Sequence, residues 1–176
     1  MSVHFDVSKI SFFGLDDWSV AVCAWRGCCL EVFSRAEHSV ADCLRALEAA
    51  GIPLSGNARH AFAATRLKSL TTCIKSQSFG GHGKTALARI ANWEPVYESR
   101  AFLAHGEIKA TGHGIAIKHV TFDGKAEKQL PIRQMSRIEM LEALAEMEEA
   151  QRLLHHQLGQ IKAMVAKKPN PGSSPA

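Results

Sequence analysis

The stretch DDWSVAVCAWRGCCLEVFSRAEHSVADCLRALEAA, residues 16–50, decides the fold class. Its apolar side chains recur as Trp18, Val22, Trp25, Cys29, Phe33, Ala36, Val40, Leu44 and Leu47, in steps of three and four. That period places them on one face of a helix and is foreign to a strand, whose faces alternate every second residue. Asp16 and Asp17 stand where a helix presents unpaired N–H groups and the positive end of its dipole. Gly51 and Pro53 close the other end. One long amphipathic helix demands other elements to cover its apolar face, so the rest of the chain is read as its partners. Upstream, His4 to Phe13 is β-branched and aromatic enough for a short strand.

Downstream, a second helix is expected from an N-cap near Asn57. It buries Phe62, Ala63, Leu67, Leu70, Cys73 and Ile74, while Arg59, Arg66 and Lys68 project from other faces. Ser78 to Gly83 reads as its break, and a third helical segment runs from Lys84 towards His105, interrupted at Pro95, which either kinks one helix or opens a second at its first turn. After Gly106 the period shortens. Glu107–Thr111, Ile115–Phe122 and Lys125–Ile132 read as three strands turned by Gly112-His113-Gly114 and Asp123-Gly124, with Pro131 closing the insert. Ser136 and Glu139 form a capping box. The last helix then carries Met140, Leu144, Met147, Gln151, Leu154, Leu158, Ile161 and Val165 at four–three spacing, the pattern of a core helix rather than an intermolecular coiled coil. Residues 167–176, rich in Pro and Ser, read as a disordered tail. The expected architecture is mainly α: one domain over 1–166, a four-helix bundle with a small three-stranded antiparallel β insertion, 107–132, before its last helix.

Composition agrees with a globular chain of one domain. Of 176 residues 46% are apolar and 22% charged, and no run approaches the ~18 consecutive apolar residues of a membrane span. Met1 to Gly14 lacks the basic cap and apolar block of a secretion signal. The expected setting is cytoplasmic, with no membrane association. The five cysteines (Cys23, Cys28, Cys29, Cys43, Cys73) include no Cys-x-x-Cys pair and read as reduced, buried small side chains on helices. The tryptophans Trp18, Trp25 and Trp93 read as core anchors rather than base-stacking platforms.

The net charge of +4 is unevenly spread. Residues 57–133 hold twelve Lys and Arg against five acids, a net of +7, and the remainder is −3. A basic middle suits a polyanion-binding face, against the plainer alternative of a solvated mixed surface. Within it, Arg66, His82, Lys84, Lys109 and His113 are the candidate RNA- or phosphate-binding side chains.

Two motifs fall in this middle. Gly80-Gly81-His82-Gly83-Lys84-Thr85 resembles a phosphate-binding loop, but Ser78 stands where that pattern needs Gly. The segment before it is helical in period, and the chain lacks repeated strand–helix units; a basic glycine-rich interhelical loop is the better reading. His105, His113 and His119 lack an accompanying Asp or Cys at useful spacing, so neither a metal nor another cofactor is expected.

The second motif is Arg100-Ala101-Phe102-Leu103-Ala104-His105-Gly106, late in a helix of a helical bundle. It resembles the HEPN family, small helical bundles whose signature is an Arg, a spacer of a few residues and a His, often ending Leu-Ala-His-Gly. The layout is also similar: a long first helix, the motif on the third segment, a strand-rich insert and a long closing helix. The resemblance implies metal-independent endoribonuclease activity of toxin or defence type, with Arg100 and His105 of two subunits forming a composite site in a homodimer. Imidazole suits a general base or acid near neutral pH, and a guanidinium suits a phosphate. Five residues along a helix turn a side chain by about 140°, so a dimer brings the two groups together more simply than one straight helix does. Ala101 stands where active members commonly carry a polar residue, and Glu107 where one modified branch carries Tyr. The alternative implied is a catalytically inactive HEPN-like module that binds nucleotide, RNA or a protein partner, such as an antitoxin, in a bacterial or phage regulatory pair. For an isolated Arg–His pair the plainer roles are an ion pair with Glu94 or Glu98 and a helix-end hydrogen bond.

Overall fold

A computed structural model describes residues 16–54, 61–123 and 126–167, with the side chains of 122–127 left aside. The expected strand at His4–Phe13, the Asn57 N-cap, Gly124 of the hairpin turn and the tail from residue 168 lie outside the described residues. The chain is mainly helical. Its elements are α1 (Asp17–Ala49), α2 (Ala63–Ser76), α3 (Gly80–Glu98), the short α4 (Arg100–His105), five strands and α5 (Arg137–Ala166). The strands are β1 (Glu107–Ala110), β2 (Gly114–Lys118), β3 (Val120–Asp123), β4 (Ala126–Gln129) and β5 (Arg133–Ser136). No helix among the described residues is long and apolar enough to cross a membrane.

Two compact units divide the chain, one of residues 1–31 with 98–147, the other of 32–97 with 148–176. In the second unit, four helical segments from α1, α2, α3 and α5 share one core. Phe33, Leu47, Leu70, Phe79, Ile90, Trp93, Leu154, Leu158 and Ile161 are all fully enclosed there. Each such side chain contributes about 1.5–3 kcal/mol by leaving water. Phe33 meets the Trp93 ring edge-on at 5.8 Å. Two buried polar side chains of this unit have partners: Gln157 donates to the His82 carbonyl at 3.1 Å. Ser39 donates to the Arg35 carbonyl, so it accepts from His155 Nδ1, 2.9 Å away. Burial pushes the Cys43 thiol up to about 12, which keeps it protonated and inert. Cys29, Cys43 and Cys73 are buried, as small apolar residues would be, whereas Cys23 is exposed on α1; all five are free thiols.

The first unit joins the start of α1, the α4 helix, the strands and the start of α5. β1, β2 and β5 form a three-stranded antiparallel sheet in that spatial order, and β3 pairs with β4 in a separate hairpin. Ile115 and Ile117 of β2 are buried while Lys118 is exposed. Trp25 donates to the Met140 carbonyl at 2.8 Å, tying α1 to α5. Trp18 donates to the carbonyls of Thr111 and Gly114, at 2.9 and 3.2 Å, and so holds the β1–β2 turn. It is half-buried, less enclosed than the core anchors Trp25 and Trp93.

Both long helices begin as their sequences require. Asp16 accepts from the Ser19 N–H at 2.8 Å and from its hydroxyl at 3.1 Å, an N-cap for α1. The Ser136–Glu139 capping box closes reciprocally, at 2.7 and 3.2 Å. Met140, Met147, Leu154, Leu158, Ile161 and Val165 are buried along α5.

Several expectations are corrected. α2 begins at Ala63, and Phe62, at its N-cap in an extended conformation, is 90% exposed instead of joining the apolar face. The glycine run is not an interhelical loop: Gly80, at φ 54°, turns the chain, and Gly81, His82 and Gly83 form the first turn of α3. N–H groups of a first turn need no partner within the helix, so glycines weaken it little there. Gly83 is buried, and a Cβ on it would stand 3.2 Å from that of Phe79. Of the two roles open to Pro95, it lies within one helix, α3, and opens no second one; the break comes at Ser99. The insert runs to Ser136 and not to Pro131. The expected middle strand divides at His119, the expected third strand pairs as β4 in the hairpin, and the third strand of the sheet is β5.

Two predictions follow from these local geometries. A Cβ on Gly114 would fall on the Met135 carbonyl of the neighbouring strand, so Gly114→Ala should cost about 1–3 kcal/mol in chemical denaturation through overpacking, while Gly27→Ala, which meets nothing, should not. The capping box holds the Glu139 carboxyl below its ordinary range by the backbone and hydroxyl bonds of Ser136. Its stabilisation is therefore present above the ordinary Glu pKa and fades as pH falls through the lowered folded value. Glu139→Gln should flatten that part of the acid unfolding curve, followed by circular dichroism.

Candidate functional site

Arg100-Ala101-Phe102-Leu103-Ala104-His105 folds as α4, a helix of six residues. So short a helix does not hold itself together in water; three contacts hold it here. Leu103 is buried beneath it. Gly106 ends it by donating to the Phe102 carbonyl at 2.9 Å. A Cβ on Gly106 would lie on that same carbonyl and 2.8 Å from Ile117 Cγ2, which is the physical reason a glycine follows the histidine.

The third contact comes from α1. Arg26 Nε donates to the Leu103 carbonyl at 2.7 Å and its Nη2 to the Ala104 carbonyl at 2.9 Å. A planar cationic fork thus takes two of the carbonyls that a helix end leaves unpaired, on the negative end of its dipole. Sequence reading missed Arg26. The signal available was its isolation, since it is the sole cation between Asp16 and Ser34.

Of the motif pair, His105 is exposed at the C-terminal end of α4 and Arg100 is half-buried at its start. Between them Phe102 is half-buried, its ring centroid 4.9 Å from that of His119 at an interplanar angle of 54°. The Arg133 guanidinium lies over the Phe102 ring at 3.7 Å. His119 is only 7% exposed, and its Nδ1 has no hydrogen-bond partner among the described residues. Arg137 repeats the arrangement, over the Trp18 ring at 4.0 Å.

The remaining candidate residues divide between the units. Lys109 and His113 belong to the same unit as α4. Lys109 is exposed on β1 and pairs with Glu107 at 3.3 Å, a surface ion pair of small worth. His113 is exposed in the β1–β2 turn, and its carbonyl accepts the Arg137 N–H. Arg66, His82 and Lys84 belong to the other unit. His82 and Lys84 stand exposed in the first turns of α3. Arg66 is half-buried, donates to the Ala61 carbonyl at 2.9 Å, and lines a shallow cleft with Glu37, Trp93 and Tyr97. Among the described residues no three His, Cys, Asp or Glu side chains gather to hold a metal ion.

Comparison of the chain with family models, with curated proteins and with solved structures finds no match. Any functional reading therefore rests on the chemistry of α4 and the side chains around it.

Losing the Arg26 fork should loosen α4. Arg26→Ala is expected to cost about 1.5–3 kcal/mol, the range for hydrogen bonds to a charged group. Amide exchange should speed up at Phe102 to Gly106 beyond the global change, and Arg26→Lys, which keeps charge without the fork, should restore only part of the protection.

Proposed function

We propose that this chain is a HEPN-like, metal-independent endoribonuclease of toxin or defence type, acting as a homodimer through Arg100 and His105. The observation that supports it most is the state of the motif itself. Arg100 to His105 forms one braced helix, with the imidazole of His105 exposed at its end. RNA carries its own nucleophile. His105 takes the proton of a 2′-hydroxyl, the 2′ oxygen attacks the adjacent phosphorus, and the 5′ oxygen leaves with a proton from water, whose hydroxide the imidazolium then neutralises, giving a 2′,3′-cyclic phosphate. Charge on the phosphorane is met by the Arg100 fork. About 140° separates the two directions on one helix, so a two-fold axis that sets Arg100 of one copy beside His105 of the other gives the simplest composite site. Lys109 and His113, in the same unit, are suited to flanking phosphates; Arg66, His82 and Lys84, in the other unit, are basic groups suited to phosphate contacts of their own.

Ala101, exposed beside Arg100, favours a second reading: an inactive relative that binds RNA, nucleotide or a regulatory protein such as an antitoxin.

Purified protein in EDTA should cleave a labelled, partly structured RNA, and His105→Ala should lower the rate about 10²–10⁴-fold, the usual range for a general acid–base group. Equal background with both proteins would remove the enzyme reading, and a monomer at micromolar concentration in sedimentation would remove the composite site.

A further inference from the structure

Arg133 was not among the residues that the motif points to, since it lies in β5, far along the chain from α4. Its guanidinium nevertheless rests on the ring of a residue inside the motif helix, 3.7 Å above the centroid of Phe102. Phe102 and His105 are three residues apart, so they differ by about 60° around the helix axis and are surface neighbours. Arg100, by contrast, is about 140° from His105. Through Phe102, the Arg133 guanidinium therefore lies on the face of α4 next to that of His105.

Its state suits an anion. Arg133 is exposed, and among the described residues no carboxylate pairs with it. A guanidinium lying on an aromatic face keeps its N–H donors in the plane of the fork, where they reach outward, and the ring restricts the side chain before any ligand arrives. Binding through such a group loses less rotamer freedom than binding through a loose lysine. Phe102 is in turn backed by the buried His119 ring, which fixes the platform.

We propose that Arg133 is a phosphate-binding residue of the α4 site, contacting a phosphodiester of single-stranded RNA on the same side as His105 and within the same subunit. The assignment rests on the nuclease reading for the identity of the ligand. It deepens that reading by supplying, within one copy, the anion contact that Arg100 is turned away from.

The test uses the full-length protein and a fluorescent 2′-O-methyl RNA oligonucleotide, which lacks the nucleophile and cannot be cut. Anisotropy titrations across a salt series compare wild type, Arg133→Ala, Arg133→Lys and His105→Ala. Arg133→Ala should weaken binding and reduce the salt slope by about one, as loss of one phosphate contact does. Arg133→Lys should keep the slope and bind less tightly than wild type, because it retains the charge without the stacked fork. Near-ultraviolet circular dichroism checks that each variant keeps the wild-type packing. An unchanged slope in a folded Arg133→Ala, or no binding by wild type, overturns the proposal. If the slope of Arg133→Ala is unchanged while cleavage still depends on His105, this assignment alone fails. If wild type binds through Arg133 yet never cuts natural RNA, the nuclease reading fails and the phosphate site stands.

Discussion

The Arg26 guanidinium, lodged on the carbonyls of Leu103 and Ala104, is the interaction on which the geometry of α4 depends. A helix of six residues gains too few internal hydrogen bonds to offset the cost of fixing its backbone. What keeps it helical is tertiary: a cationic fork at one end, Leu103 beneath, and the close approach of Gly106 to β2. Each of these fixes where His105 begins. The same unit uses guanidinium groups a second way, laying Arg133 on Phe102 and Arg137 on Trp18. Arginine here acts first as a shape and then as a charge, and a lysine would serve neither contact as well.

Much of the helical framework was legible because its signals are local and repeated. α1 and α5 keep their apolar period over many turns, and the Asp16 and Ser136–Glu139 caps mark their starts within a single turn of sequence. The errors have equally local causes. Arg133-Gln134-Met135-Ser136 contains one apolar residue, so nothing in its pattern announces β5; its strand character comes from the hydrogen-bonding edge that β2 offers. The glycine run before Lys84 carries the composition of a loop, yet it lies where a helix tolerates glycine best. Phe62 fits the apolar period of α2, but the helix begins one residue too late to include it.

The candidate site was legible only as a motif. Arg100 and His105 could be picked out because they sit close together in the chain, whereas Arg26, His119 and Arg133 reach the same short helix from distant positions. No spacing rule connects them, and the chemistry of each is ordinary until the fold brings them to α4. Of the basic residues singled out by charge density, Lys109 and His113 share the unit of α4, while Arg66, His82 and Lys84 belong to the other. Charge counted along a sequence marks a region and not a surface.

The β3–β4 hairpin has a different kind of consequence. The three-stranded sheet is complete without it, because β5 pairs directly with β2 and the hairpin pairs with itself. A hydrogen bond from the Leu130 N–H to the His119 carbonyl, 3.0 Å, closes its base. The excursion is thus a side-branch whose two ends are already joined. Its length is free to change in descent without disturbing the register of the three-stranded sheet, as in a branch grafted onto a finished trunk.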